Sequence, residues 1–177
     1  MRAPEVGGSR PLTILFELFK ASQLSRMLVR TAMGRDGMRG DDYAVYSLLR
    51  VAGPLPPAEL AAGLGMAATT ISGYVRRIAA RGHIEARPNP DDGRSYLLAL
   101  TPAGDDAFLA AQKRFMHGRR AFEAALAVPQ AEMFAALDEL QAALREGQRT
   151  LRRSARRRGH SASDSPMRTS SSHDAQR

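Results

Sequence analysis

The sequence predicts a mainly α-helical fold carrying one small β-hairpin, and three observations predict it. Apolar residues recur at spacings of three to five along most of the chain, the mark of helices with one buried face. Proline and glycine interrupt that pattern at a few defined places. Only residues 84–100 break into two short strand-like runs around a turn-dense middle. The chain has 177 residues, 44% hydrophobic and only 6% aromatic with no Trp, so aliphatic side chains must fill most of the core.

Residues 1–10 are polar, with Pro and Gly, and are expected to be disordered. From 11 to 33, Pro11 suits a first helical turn, and Leu12, Leu15, Phe16, Phe19, Leu24, Met27 and Leu28 mark one helical face. Three glycines between 34 and 40 end it. Asp41 is the expected N-cap of a short helix reaching about Val51, with Tyr43, Val45, Leu48 and Leu49 apolar. Gly53-Pro54-Leu55-Pro56-Pro57 is a stop and restart before helices over 58–64 and 67–81, the latter closed by Gly82. Strands over 84–87 and 95–100 flank Pro88-Asn89-Pro90-Asp91-Asp92-Gly93, and Thr101-Pro102 supplies an N-cap and a first-turn proline.

Two longer helical segments follow, over 103–128 and 130–151. Phe108, Phe115 and Phe122 fall seven apart, and Met133, Leu137, Leu140, Leu144 and Leu151 form a second stripe; Pro129 predicts a bend between them. A helix of about 25 residues spans roughly 38 Å, long for a small domain, so an intersubunit bundle is favoured over packing within one chain. Residues 152–177 are rich in Ser and Arg and are expected to be a disordered basic tail.

Charge and composition exclude several classes. The net charge is +8, but residues 152–177 hold seven Arg and two Asp, leaving only 19 basic and 16 acidic groups elsewhere. The basicity belongs mostly to the tail, which adds nonspecific attraction to polyanions or is simply solvated. The absence of Cys removes disulfides and thiolate chemistry. No apolar run approaches the ~18 residues of a membrane span, and 1–11 has no apolar signal core, so a cytoplasmic location and no membrane partner are expected. His83, His117, His160 and His173 lack metal-ligand spacing, and Asp91-Asp92 and Asp105-Asp106 read as turn and helix-start acids. With no phosphate loop, nucleophile elbow or metalloprotease helix, no catalytic residue, cofactor or metal is expected.

The informative stretch is 57–101. Ala61 is small enough for two helices to cross, Gly65 can make a sharp left-handed turn, and Ile71 plugs the angle between them, with Leu60, Leu64, Val75 and Ile78 completing a small core. This is helix-turn-helix spacing. The second helix opens with Ala67, Ala68, Thr69, Thr70, Ser72 and Gly73, small groups able to approach base edges. It closes with Arg76, Arg77 and Arg81 and carries no acid, whereas 41–100 as a whole balances six basic against six acidic residues. The alternative is a solvated face whose arginines complement the helix dipole. At the hairpin tip, Arg94 is placed to enter a minor groove, with Asp92 two residues earlier able to pair with its guanidinium, or Asp92 and Gly93 serve only the bend.

At this point the sequence resembles the multiple-antibiotic-resistance regulator (MarR) family of winged-helix transcription factors. The likeness rests on Ala58-Glu59-Leu60-Ala61, on Thr70-Ile71-Ser72 with Arg77, and on the run from Arg81 through Arg87. It rests above all on Asn89-Pro90-Asp91-Asp92-Gly93-Arg94-Ser95 leading into Leu98-Ala99-Leu100-Thr101-Pro102-Ala103-Gly104. The resemblance implies a winged helix-turn-helix DNA-binding domain over 41–101. It implies a homodimer held by a dimerisation helix and linker over 11–40 and by dimerisation helices over 102–151. Each domain would read half of a pseudo-palindromic operator in double-stranded DNA. Carried over by position, Thr69, Thr70 and Gly73 face bases, Ser72 and Arg77 hold phosphate, and Arg94 is the minor-groove residue braced by Asp92. Arg76 joins them from the basic half of the helix.

The chain departs from the pattern at Gly73, where a longer polar residue is common, at Asn89 in place of Asp, and at His83 in place of Leu; His83 reads as a helix-terminus residue. Some members bind small aromatic acids as effectors between the dimer helices and the winged domain. Nothing here identifies such a ligand, and Arg119 and Arg120 read first as a solvated face. The leading expectation is a dimeric sequence-specific regulator, a repressor. The alternatives are a winged-helix protein-interaction module without specific DNA binding and, third, a dimerisation fragment of an enzyme, which would need a nucleotide-binding domain downstream.

Overall fold

The computed structural model of the chain describes residues 13–35 and 37–162; the disorder expected over 1–10 and over 163–177 lies outside them. The chain divides into two units, one up to Ala125 and one from Leu126. The first unit runs α1 Ile14–Met33, α2 Gly40–Ala52, α3 Pro57–Gly63, α4 Ala68–Ala79, β1 Ile84–Pro88, β2 Tyr96–Leu100 and α5 Pro102–Ala125. It is mainly α with one antiparallel hairpin, as the sequence predicts.

Local chemistry sets the helix ends. The Thr13 side chain accepts from the Phe16 N–H at 3.4 Å and caps α1. The expected cap at Asp41 is corrected: α2 is entered from Arg39, and Asp41 and Asp42 lie in its first turn, where acids favour the helix dipole. Gly65 adopts φ 63° between α3 and α4, and the Met66 N–H reaches back to the Ala61 carbonyl at 2.9 Å, closing the sharp turn. Gly82, at φ 74°, ends the turn after α4. The Thr101 hydroxyl accepts from the Gly104 N–H at 3.1 Å and donates to the Gly82 carbonyl at 2.6 Å, so one residue caps α5 and ties it to the end of the α4 turn.

The hairpin pairs Ile84 with Leu100 through Pro88 with Tyr96. Leu55, from the proline-rich stop, adds a bridge to Leu98 through N–H···O bonds of 3.1 and 2.8 Å. The hairpin is thus anchored on the segment before α3.

Val45, Tyr46, Leu60, Ile71 and Ile78 are buried at the centre, with Ile71 in the angle between α3 and α4. Tyr43 stacks on Phe108 and Phe115, with ring centroids 5.4 and 4.6 Å away. This corrects part of the bundle expectation: two of the three heptad phenylalanines pack within their own chain, and only Phe122 stays half exposed. On α1, Ile14, Leu15, Phe16, Phe19, Leu24 and Met27 also remain exposed.

The second unit contains one helix, α6, Gln130–Ala162. Disorder is expected from 152, yet the helix continues to Ala162. Arg and Ala are strong helix formers, and Arg145–Gln141 (2.9 Å) and Arg149–Glu146 (2.6 Å) bridge successive turns just before that point. Phe134, Leu137, Leu144 and Leu151 are exposed along it. Among the described residues no helix is long and apolar enough to cross a membrane, and no group of three acids or histidines is placed to hold a metal ion.

Candidate nucleic-acid interface

Helix α4 turns Ile71 and Ile78 into the core and leaves Thr69, Thr70, Ser72 and Arg76 exposed. No side chain caps its N-terminus, so its first N–H groups are left for water or an anion. The Ser72 hydroxyl already donates to the Ala68 carbonyl at 2.9 Å, so it presents lone pairs outward rather than a free proton, and a phosphate contact from it requires a rotamer change.

A Cβ added at Gly73 meets nothing within 4 Å. Packing does not demand this glycine; it simply leaves a gap in the exposed face. Gly73→Ala should therefore stabilise the fold by about 0.5–1 kcal/mol through helix propensity, read as a rise in denaturation midpoint at fixed protein concentration. A lowered midpoint would show a constraint at this position other than helix propensity.

Arg77 stands differently from its expected role. Its guanidinium forms a two-point pair with Asp42 of α2, through Nη2 to Oδ1 and through Nε to Oδ2 at 3.3 Å. Arg81 approaches the same carboxylate at 3.6 Å. Asp42 is fully buried, and Arg77 retains 30% of its side-chain exposure. The hydrogen bonds to Asp42 hold the Arg77 guanidinium above its usual pKa. Arg77 also lies 4.9 Å over the Tyr74 ring, whose hydroxyl donates to Asp41 at 3.1 Å. Burial, then that hydrogen bond, raises the Tyr74 hydroxyl. Helix α4 is thus locked to α2 by a charged cluster on its flank, and Arg77 serves that joint before any phosphate.

The sequence reading missed Asp42, although a signal was there. Asp42, Val45, Tyr46 and Leu49 share the i, i+3, i+4, i+7 stripe of α2, and an acid inside an apolar stripe needs a cationic partner. Close by, the Tyr46 hydroxyl bonds His83 Nδ1 at 2.7 Å, which places His83 at the α4 terminus as a structural residue. Burial first raises the Tyr46 hydroxyl, with Arg81 opposing it and Asp42 adding to it, so the phenol stays protonated at neutral pH.

At the hairpin tip Arg94 is exposed. The expected brace is corrected: Asp92 Oδ1 accepts from the backbone N–H of Arg94 at 3.1 Å rather than pairing with its guanidinium. A carboxylate two residues back lies closer to the turn's own N–H than to the end of a long side chain. Asn89 completes the frame, donating to Ser95 Oγ at 2.8 Å and accepting from the Asp91 N–H at 3.1 Å, so the tip backbone is ordered and Arg94 is left to reach outward.

A cavity of about 1140 Å³ lies beside α1 and the start of α2, lined among others by Arg26, Arg30, Met33 and Arg35. Arg119 and Arg120 are not in its lining; Arg119 pairs with Glu123 at 2.5 Å on the surface of α5.

A family model described as the MarR family matches residues 43–95. The multiple antibiotic resistance protein MarR of Salmonella typhimurium is 28% identical over 87 residues, 49% of this chain, and the match spans 60% of that protein's length. Among solved structures, a probable transcriptional regulator from Pseudomonas aeruginosa is 32% identical with a TM-score of 0.64, covering 72% of this chain and 96% of that one. A mutant MarR from E. coli complexed with operator DNA is 20% identical, TM-score 0.62, over 71% of this chain and 92% of that one, a likeness of fold. More than a quarter of this chain therefore has no counterpart in either structure. With its winged segment matched by the family model and a 32% identical structure covered almost end to end, the chain belongs to the MarR family.

Proposed function

We propose that this protein is a dimeric, sequence-specific DNA-binding transcription regulator that acts as a repressor. The carrying observation is the exposed face of α4, with Thr69, Thr70 and Arg76, on the same buried frame as the exposed Arg94 of the hairpin tip. That combination suits a helix in the major groove and an arginine in the adjacent minor groove. MarR-family proteins are transcription regulators, not enzymes, which sets aside the enzyme-fragment alternative. Dimerisation is supported by the exposed apolar faces of α1 and α6, which a second copy would cover. A small anionic aromatic effector fits this reading at the cavity beside α1, where Arg30 and Arg35 supply cations and Arg26 pairs with Asp41 at 3.4 Å.

Selection from a random duplex library tests the proposal. The expected result is an inverted repeat with half-site centres about 34 Å apart, one duplex turn or a multiple of it. On that duplex, Arg94→Ala should lose about 1–3 kcal/mol of affinity, seen by fluorescence anisotropy. Unchanged affinity would remove Arg94 from the interface.

A second reading, a protein-interaction module, is favoured by the internal commitment of Ser72 and Arg77 and by the gap at Gly73. It predicts no enriched repeat and only weak, salt-sensitive duplex binding.

A further inference from the structure

From Gly147 to Ser163 the sequence has six arginines and no acid. Most of this stretch is helical, because α6 continues to Ala162. Helical register, about 100° per residue, places Arg145, Arg149, Arg152 and Arg153 within one arc of about 100°. Met133, Leu137, Leu140, Leu144 and Leu151 occupy an arc centred roughly 140° away. The helix is two-sided: an apolar stripe suited to another helix, and a basic stripe pointing elsewhere.

Between Arg145 and Arg157 the one acid is Glu146, and Arg149 takes it up at 2.6 Å. Arg152 and Arg153 are exposed. From Arg145 to Arg153 the basic stripe rises about 12 Å along the helix axis, and the sequence adds three more arginines, Arg156, Arg157 and Arg158, just beyond it. Between Arg145 and Arg153 no large apolar residue shares that arc, so this stretch lacks the anchor by which a folded protein partner would be gripped. Guanidinium groups repeated along one side of a helix suit the phosphates of a duplex.

We infer that the arginine stripe at the C-terminal end of α6 is a second duplex-binding element. It contacts the phosphate backbone without reading sequence and adds salt-dependent affinity to that of the winged domain. This rests on the proposal that the protein binds DNA.

The test uses the full chain carrying Arg152→Gln, Arg153→Gln, Arg156→Gln and Arg157→Gln together, and a second version with Lys at the same four positions. Binding to a duplex bearing the selected repeat, extended by about one turn (roughly 10 bp) on each side, and to a scrambled duplex of equal length is followed between about 50 and 200 mM salt. The slope of log affinity against log salt falls by about 0.9 for each phosphate that is no longer neutralised. The expected result is a slope at least about 2 shallower for the Gln protein on both duplexes, with about tenfold or greater weakening at the lowest salt. The Lys protein should behave like the wild type, since it keeps the charge.

Equal slopes for the Gln protein and the wild type would overturn the inference and leave the regulator proposal standing. A Lys protein as weak as the Gln protein would also overturn it, because the arginines would then act through structure. Poly-glutamate bound as tightly as scrambled duplex would overturn the commitment to DNA. If selection yields no repeat, the regulator proposal fails, and the slopes on scrambled duplex alone decide the present one.

Discussion

Asp42→Ala will lower the unfolding free energy by about 3 kcal/mol and weaken binding to the selected duplex by more than the loss of folded protein explains. Asp42 is fully buried and is the common acceptor for Arg77 and Arg81. Breaking a buried ion pair by removing one partner costs about 3–5 kcal/mol, mostly because the other charge is left uncompensated. Here the surviving charges are guanidinium groups with 30% and 45% of their surface still in water, so they rehydrate and the cost sits at the low end of that range. The functional excess is expected because the same cluster ties the flank of α4 to α2, beside the exposed face proposed to meet DNA. Asp42→Asn keeps an acceptor of the same shape and should lose roughly half as much. Denaturant unfolding at fixed protein concentration measures the first effect. An Asp42→Ala protein with the wild-type midpoint would show that the cluster contributes nothing.

The second large effect is expected at Gly104. A Cβ there would lie 2.1 Å from the His83 carbonyl oxygen and 3.0 Å from its carbon. Both are backbone atoms, so neither can swing aside. Helix α5 would have to back away from the turn after α4, stretching the Thr101 N–H to His83 O bond (3.1 Å) and the Thr101 hydroxyl to Gly82 O bond (2.6 Å). Overpacking of this kind costs about 1–3 kcal/mol, and strained hydrogen bonds add about 1 kcal/mol. The gain in helix propensity, about 1 kcal/mol, does not offset them. Gly104→Ala should therefore lose about 1–3 kcal/mol of stability, whereas Gly73→Ala gains. The two variants make the same chemical change with opposite sign, because one faces a backbone carbonyl and the other open space. Equal midpoints for the two proteins would sink this account.

The order of elements, the left-handed turn at Gly65, the plug at Ile71, the hairpin and the Thr101 cap were all legible in the sequence. Each depends on residues close in the chain, where periodicity and turn chemistry act directly. The end of α6 departs from the expectation for a related reason. Low hydrophobicity over 152–162 signals that nothing needs burying, but it does not oppose a helix that is already nucleated and rich in Arg and Ala.

What only the tertiary structure decided is the choice among partners. Asp42 and Arg77 are 35 positions apart, and no local pattern says which arginine of α4 turns inward and which, like Arg76, stays outside. Leu55 joining the hairpin, Tyr43 stacking on Phe108 and Phe115, and Asp92 bonding a backbone N–H rather than a guanidinium are choices of the same kind. A side chain's character is written in its own residue, but the group that satisfies it is whichever one the folded backbone brings within about 3 Å.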